Sequence, residues 1–146
     1  MKKIKAYGIC VYKISKNNNI KVLLCKSSIS KTKWGILKGA KEVWETNIQT
    51  AQREFLEESS IQVDSKLFEQ YFEQLNPEKD IGIFLVNGTN IKNLDLYFHN
   101  DTLYSKYLSW ENSKVKFFDI SQLPIIKKKQ SKLIIEIISF LKTKLI

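Results

Sequence analysis

The sequence predicts an α/β domain (α+β in its order of elements), a mixed sheet covered by helices on both sides. Three observations predict it. β-rich runs stand both before and after one long helical segment at residues 46–59. A second amphipathic stretch, from about residue 130 to 144, follows the last of them. No linker, repeat or low-complexity block divides the 146 residues, so residues 1–146 are read as a single domain.

The elements follow in order. Residues 4–14 carry Ile4, Ala6, Ile9, Val11, Tyr12 and Ile14, a β-rich strand, and Asn17-Asn18-Asn19 supplies the turn after it. Residues 20–25 are a second β-rich run, consistent with a hairpin. Trp34 to Leu37 is a short apolar piece ending at Gly39. The helix at 46–59 opens with a capping box, Thr46 and Gln49, in which the Thr oxygen takes an orphan N–H of the first turn. Ile48, Ala51 and Phe55 form its core-facing arc. Further strands are expected at 67–75, 81–86, 94–98 and 115–118, and Ser121-Gln122-Leu123-Pro124 reads as a turn or helical start. The last helix turns Leu133, Ile134, Ile137, Ile138 and Leu141 inward.

Composition excludes several classes. With 43% hydrophobic and 27% charged residues the chain is globular, not disordered. Two Cys make no disulfide framework and no CxxC pair exists for zinc, so Cys10 and Cys25 are read as reduced strand residues of a cytoplasmic protein. The start is basic but lacks the apolar core of a signal peptide. Residues 133–141, the longest apolar region, are interrupted by Glu136 and Ser139 and fall short of the ~20 residues of a membrane span. No membrane partner is expected. The net charge of +9 comes from 24 basic residues, all Lys except Arg53. The chain is also rich in Ile and Asn, a pattern that A/T-biased coding would produce without any function, so nucleic acid is the less favoured partner.

The helix at 46–59 carries the chemistry. At ~100° per residue, Glu54, Glu57 and Glu58 share about 100° of arc near the negative end of the helix dipole. Such clustering is a poor choice for folding alone. A divalent cation turns the repulsion into binding, and clustered carboxylate oxygens suit Mg²⁺ or Mn²⁺. Arg53 is four residues before Glu57, where its planar fork can orient that carboxylate.

The flanks add a motif. Gly39-Ala40-Lys41-Glu42-Val43-Trp44-Glu45, seven residues, then Arg53-Glu54-Phe55-Leu56-Glu57-Glu58-Ser59-Ser60-Ile61 resembles the Nudix box, G-x5-E-x7-R-E-U-x-E-E-x-G-U with U bulky and apolar. Eight of nine specified positions match over 23 residues, Ser60 standing where the family has Gly. Upstream, Trp34-Gly35-Ile36-Leu37-Lys38-Gly39 resembles the W-G-x-P-K-G lead-in, with Leu37 for Pro. Trp44 also replaces a common Gly.

The resemblance implies an α/β/α sandwich whose box forms loop–helix–loop, and hydrolysis of a pyrophosphate bond in a nucleoside-diphosphate-linked substrate using Mg²⁺ or Mn²⁺. It implies that Glu57 and Glu58 are the principal metal ligands, that Glu54 is a ligand or base, and that the Gly39 region offers a carbonyl. Arg53 and Glu45 would hold loop and helix together. The base in this family often lies outside the box. Of Glu69, Glu73, Glu78, Asp80 and Glu111, Glu111 is favoured, because Leu108-Ser109-Trp110-Glu111-Asn112 resembles the acidic loop of diadenosine polyphosphate hydrolases. Lys38 and Lys41 are phosphate handles, and Trp34 and Trp110 are candidates to stack on a base. Trp44, Tyr71 and Phe72 are weaker ones. His99 and the run Lys127-Lys128-Lys129 are read as solvated. A Nudix-like nucleotide or RNA binding module without turnover is the competing reading.

Overall fold

The computed structural model describes residues 2–145. Its strands are β1 (Ile4–Ile14), β2 (Ile20–Ser27), β3 (Trp34–Gly35), β4 (Leu37–Ala40), β5 (Phe68–Gln74), β6 (Lys79–Asn87), β7 (Phe98–His99), β8 (Thr102–Leu103) and β9 (Asn112–Asp119). Two helices accompany them, α1 (Asn47–Ser59) and α2 (Ser131–Lys142). The sheet runs β5-β6-β1-β2-β9-β8-β7. It is mixed, since β1 is parallel to β6 while β2, β4 and β9 pair antiparallel with their neighbours.

One irregularity positions the site. β1 pairs with β2 only from Tyr12 to Ile14. Earlier along β1 that edge is taken by β4, from Ile9 opposite Leu37 to Ala6 opposite Ala40. The sheet splits here, and the inserted β4 carries Gly39 against Glu54 of α1, with Lys38 beside it. Leu37 is fully buried in this strand, which accounts for an apolar residue where the lead-in usually has Pro.

Alternation along β1 sorts the core into two layers. Tyr7, Ile9 and Val11 pack with Ala51 and Phe55 of α1. Cys10 and Tyr12 pack with Leu133, Ile134, Ile137 and Leu141 of α2. Each fully buried Phe, Leu or Ile contributes about 1.5–3 kcal/mol. The α/β/α sandwich is therefore the direct product of strand alternation meeting two helical stripes. Both cysteines are free and buried. Among the described residues no helix is long and apolar enough to cross a membrane.

Two expectations need correction. Residues 94–98 do not form a strand: Leu94–Tyr97 is a 3-10 turn, and only Phe98 enters β7. Asn93 has φ 61°, which bends the chain away from extension, and Ile91, Leu94 and Tyr97 reach the core at spacing three rather than two. Ile48 is also not a core residue. It is 40% exposed in the first turn of α1, in an open cleft with Tyr7, Tyr71 and Phe84, while Thr50 and Ser59 take buried places.

Candidate active site

Thr46 caps α1 as the sequence predicts, accepting from the Gln49 N–H at 3.1 Å while the Gln49 side chain accepts from the Thr46 N–H at 2.9 Å. Such a cap is worth about 1 kcal/mol and fixes where the helix starts. The start in turn sets the azimuth of every later glutamate. Glu54 comes out half-buried, Glu57 exposed and Glu58 6% exposed.

Arg53 is the hub of the loop–helix junction. Its Nε donates to Glu45 Oε2 at 2.5 Å and its Nη2 to Glu45 Oε1 at 2.9 Å. Nη2 also donates to the Ala40 carbonyl at 3.0 Å, and Nη1 to Glu54 Oε2 at 2.6 Å and Glu57 Oε1 at 3.2 Å. The two-armed grip thus goes to Glu45, and Glu57 receives only the weaker share that helical spacing had assigned as the main one. Glu45 Oε1 also accepts from the Glu42 N–H and the Thr50 hydroxyl, each at 3.0 Å. The Arg53 guanidinium, with these bonds, holds the Glu45 carboxyl down to about 2.

Gly39 lies against Glu54. A Cβ at residue 39 would fall 1.8 Å from Glu54 Oε1, so glycine leaves room for this carboxylate as it stands and is not called for by a positive φ. Burial pushes the Glu54 carboxyl up, against the pull of Arg53.

Glu58 is the most perturbed acid. Its Oε1 accepts from Asn112 Nδ2 at 3.0 Å, while its Oε2 is buried with no partner. Burial pushes the carboxyl up to about 8; the charges of Glu54 and Glu111 add to this, and Asn112 and Lys38 oppose it. An unpartnered buried oxygen of this kind costs about 1–3 kcal/mol.

Glu111 is exposed, in the loop before β9, and its charge reaches both Glu54 and Glu58. The loop is docked on the end of β2: the Ser28 N–H donates to the Glu111 carbonyl at 2.8 Å and the Ser28 hydroxyl to the Trp110 carbonyl at 2.7 Å. Trp110 is 88% exposed at its tip. Of the other acids, Glu69 is taken by Tyr12 and Lys144, and Asp80 by Lys3. Glu73 accepts from Tyr71.

The handles divide. Lys38 is near enough to Glu58 to act on its charge. Lys41 lies in a separate cleft with Tyr7, Glu45, Ile48, Tyr71 and Phe84. Trp34 is not brought to the site. It is 8% exposed, packed edge-on against Phe118 with ring centroids 4.7 Å apart, on the α2 side of the sheet. Trp44 is 79% exposed and nothing in the structure explains it. Sequence reasoning missed Asn112, whose one signal was adjacency to Glu111. It also missed that Lys79 and Lys127 gather around Lys38.

Among the described residues no three His, Cys, Asp or Glu side chains already form a cluster fit to hold a metal ion. Arg53 draws Glu54 and Glu57 towards itself. The donor chemistry nonetheless fits a hard divalent cation: carboxylates on one helix end, with a buried Glu58 oxygen lacking any partner.

By sequence, no family model matches the chain and no curated protein matches it. By structure, it is similar to a C. elegans Ap4A hydrolase in a binary complex, at TM-score 0.63 and 18% identity over 96% of this chain and 98% of that one. It is similar to the NUDIX domain of Shewanella oneidensis NrtR complexed with ADP ribose, at TM-score 0.66 and 15% identity over 97% and 90%. An ADP-ribose pyrophosphatase from Streptococcus suis matches at TM-score 0.63 and 14% identity over 99% and 94%. The chain has the Nudix fold.

Proposed function

We propose that the protein is a metal-dependent hydrolase of a pyrophosphate bond in a nucleoside-diphosphate-linked substrate. The observation that carries this reading is the buried, unpartnered Oε2 of Glu58, on a helix that also presents Glu57, and Glu54 beside Gly39. Glu57 and Glu58 are assigned as the principal ligands of Mg²⁺ or Mn²⁺, Glu54 as ligand or base, and the Gly39 backbone as a carbonyl donor. When bound, the ion neutralises phosphate charge and lowers the pKa of a bound water. Arg53 and Glu45 keep the loop against α1, so that the carboxylates and the Gly39 backbone stay in register. Glu111 is assigned as the residue that takes the proton of the attacking water, and Lys38 as a phosphate contact.

Within this class the reading leans to dinucleoside polyphosphates of the diadenosine tetraphosphate type. The docked Trp110–Glu111 loop supports it, and a structurally similar protein carries the name Ap4A hydrolase. ADP-ribose, (d)NTP and 5′-triphosphate RNA belong in the same panel. The two free cysteines suit a reducing compartment, hence the cytoplasm. The test is turnover of that panel with Mg²⁺ or Mn²⁺. No turnover of any member, or equal turnover by Glu58→Gln, overturns the assignment.

One observation favours a binding module without turnover: Arg53 already engages Glu54 and Glu57. That reading predicts nucleotide binding and no product after long incubation.

A further inference from the structure

Lys38 separates two regions of opposite sign. On one side its charge acts on Glu58. On the other opens a cleft of about 520 Å³ lined by Lys33, Lys38, Lys79, Lys127, Lys128 and Lys129, with no carboxylate in its lining. Among the described residues none of these six lysines forms an ion pair. Burial, with the charges of Lys38, Lys129 and Lys127, pushes the half-buried Lys79 ammonium down to about 8.

The lysine run is held rather than loose. The Lys127 N–H donates to the Trp34 carbonyl at 2.9 Å. The Lys128 carbonyl accepts from Gln74 Nε2 at 3.4 Å and the Lys129 carbonyl from Asn76 Nδ2 at 3.1 Å. Buried Gln130 accepts from the Ile36 N–H at 2.7 Å, and its side chain fits only because Gly35 has no Cβ to meet it 2.6 Å away. A solvated run has no need of this clamping, and fixing like charges around one cleft opposes folding. An elongated polyanion turns the repulsion into attraction. Six cations around one cleft exceed the charge of a single diphosphate bridge, while a longer phosphate chain brings negative charge enough to match them.

We propose that this cleft binds a chain of three or more phosphates, so that the protein selects polyphosphate substrates over those with one diphosphate bridge. The selectivity clause rests on the hydrolase reading; the binding site does not. The full-length chain is titrated calorimetrically with inorganic tripolyphosphate and with pyrophosphate. Tripolyphosphate is expected to bind at least about tenfold more tightly, and Lys79→Gln/Lys127→Gln to lose about tenfold or more, while Lys92→Gln/Lys142→Gln loses nothing. Lys127→Gln alone, whose clamping bond is made by the backbone N–H, serves if the double variant does not fold. Equal affinity for the two anions, or an unchanged affinity in a folded cleft variant, overturns the site. Adenosine 5′-tetraphosphate and a 5′-triphosphorylated RNA compete in separate arms to identify the carrier of the chain, and displacement by neither also overturns it. Turnover with an unchanged cleft-variant affinity removes this inference alone; tripolyphosphate binding with no turnover of any substrate removes the hydrolase reading and leaves the cleft.

Discussion

Arg53 grips Glu45 with two nitrogens, Nε to Oε2 at 2.5 Å and Nη2 to Oε1 at 2.9 Å, and so ties the loop before α1 to the face that carries the glutamates. The Glu45 side chain is only 8% exposed, so the pair is shielded from water on one side. A lysine keeps the charge but offers one point donor instead of a fork. Arg53→Lys is therefore expected to lower stability by about 2 kcal/mol, from the lost charged hydrogen bonds. It should lower kcat/KM by about a hundredfold through misplacement of Glu54 and Glu57. Thermal unfolding and steady-state kinetics check the two effects separately. An Arg53→Lys protein with unchanged kinetics would show that the fork is not what aligns the site.

Glu45 adds a pH signature to the same pair. Its carboxyl is held at about 2 in the folded chain, below its unfolded value near 4.5. The unfolded state therefore binds more protons between those values, and the stability from the pair is complete above about 4.5 and is lost as pH falls towards 2. Glu45→Gln should flatten the acid limb of the stability curve in that window. An acid limb identical to that of the parent removes the assignment.

How much of this was legible in the sequence depends on range. The spacing of Glu54, Glu57 and Glu58 survives into the structure because helical period and the Thr46 cap are local properties. The strand at 94–98 was misread because a 3-10 turn is set by the left-handed Asn93 and by distant packing on Leu94, neither visible in a short window. Asn112 meets Glu58 across 54 residues, through the pairing of β2 with β9, and no local pattern announces it. Trp34 and Lys127 exchange expected roles for the same reason. An aromatic on a strand is core or site according to which face it takes, and a lysine run is solvent or cleft according to what pins its backbone.

Gly39 offers a substitution whose effect is confined to geometry. Its φ is not positive, so alanine meets no backbone strain there. The added methyl would instead stand 1.8 Å from Glu54 Oε1 and displace that carboxylate. Gly39→Ala should cost about a hundredfold in kcat while leaving the melting temperature within a few degrees. A matching loss of stability and activity would mean that the loop itself has collapsed.

Ser60 takes φ 65° and ψ 11° at the C-cap of α1, the left-handed conformation that a glycine adopts at little cost. Its hydroxyl donates to the Tyr107 carbonyl at 3.1 Å, binding the helix end to the 105–107 turn. The hydrogen bond and the backbone strain are each worth about 1 kcal/mol and oppose one another. Ser60→Gly relieves the strain and loses the bond, so it should be near neutral. Ser60→Ala keeps the strain and loses the bond, and should destabilise by about 1 kcal/mol. Denaturant melts of the two variants decide this, and equal stability of Ala and Gly variants refutes the compensation.

Glu58 makes the strongest claim on solution behaviour. Without a divalent cation, burial pushes its carboxyl up to about 8 in the folded chain, against about 4.5 when unfolded. The folded state then binds the extra proton between those values, so the contribution of Glu58 to stability is greatest below about 4.5 and declines as pH rises towards 8. Glu58→Gln has no charge to bury. It should melt higher than the parent at pH 8 in chelator, with the two converging at pH 5. Adding Mg²⁺ should raise the parent at pH 8 by ligand linkage and leave Glu58→Gln unmoved. A parent whose melting temperature is flat from pH 5 to 8, or a variant that gains as much from Mg²⁺, would show that Glu58 is not the buried ligand described.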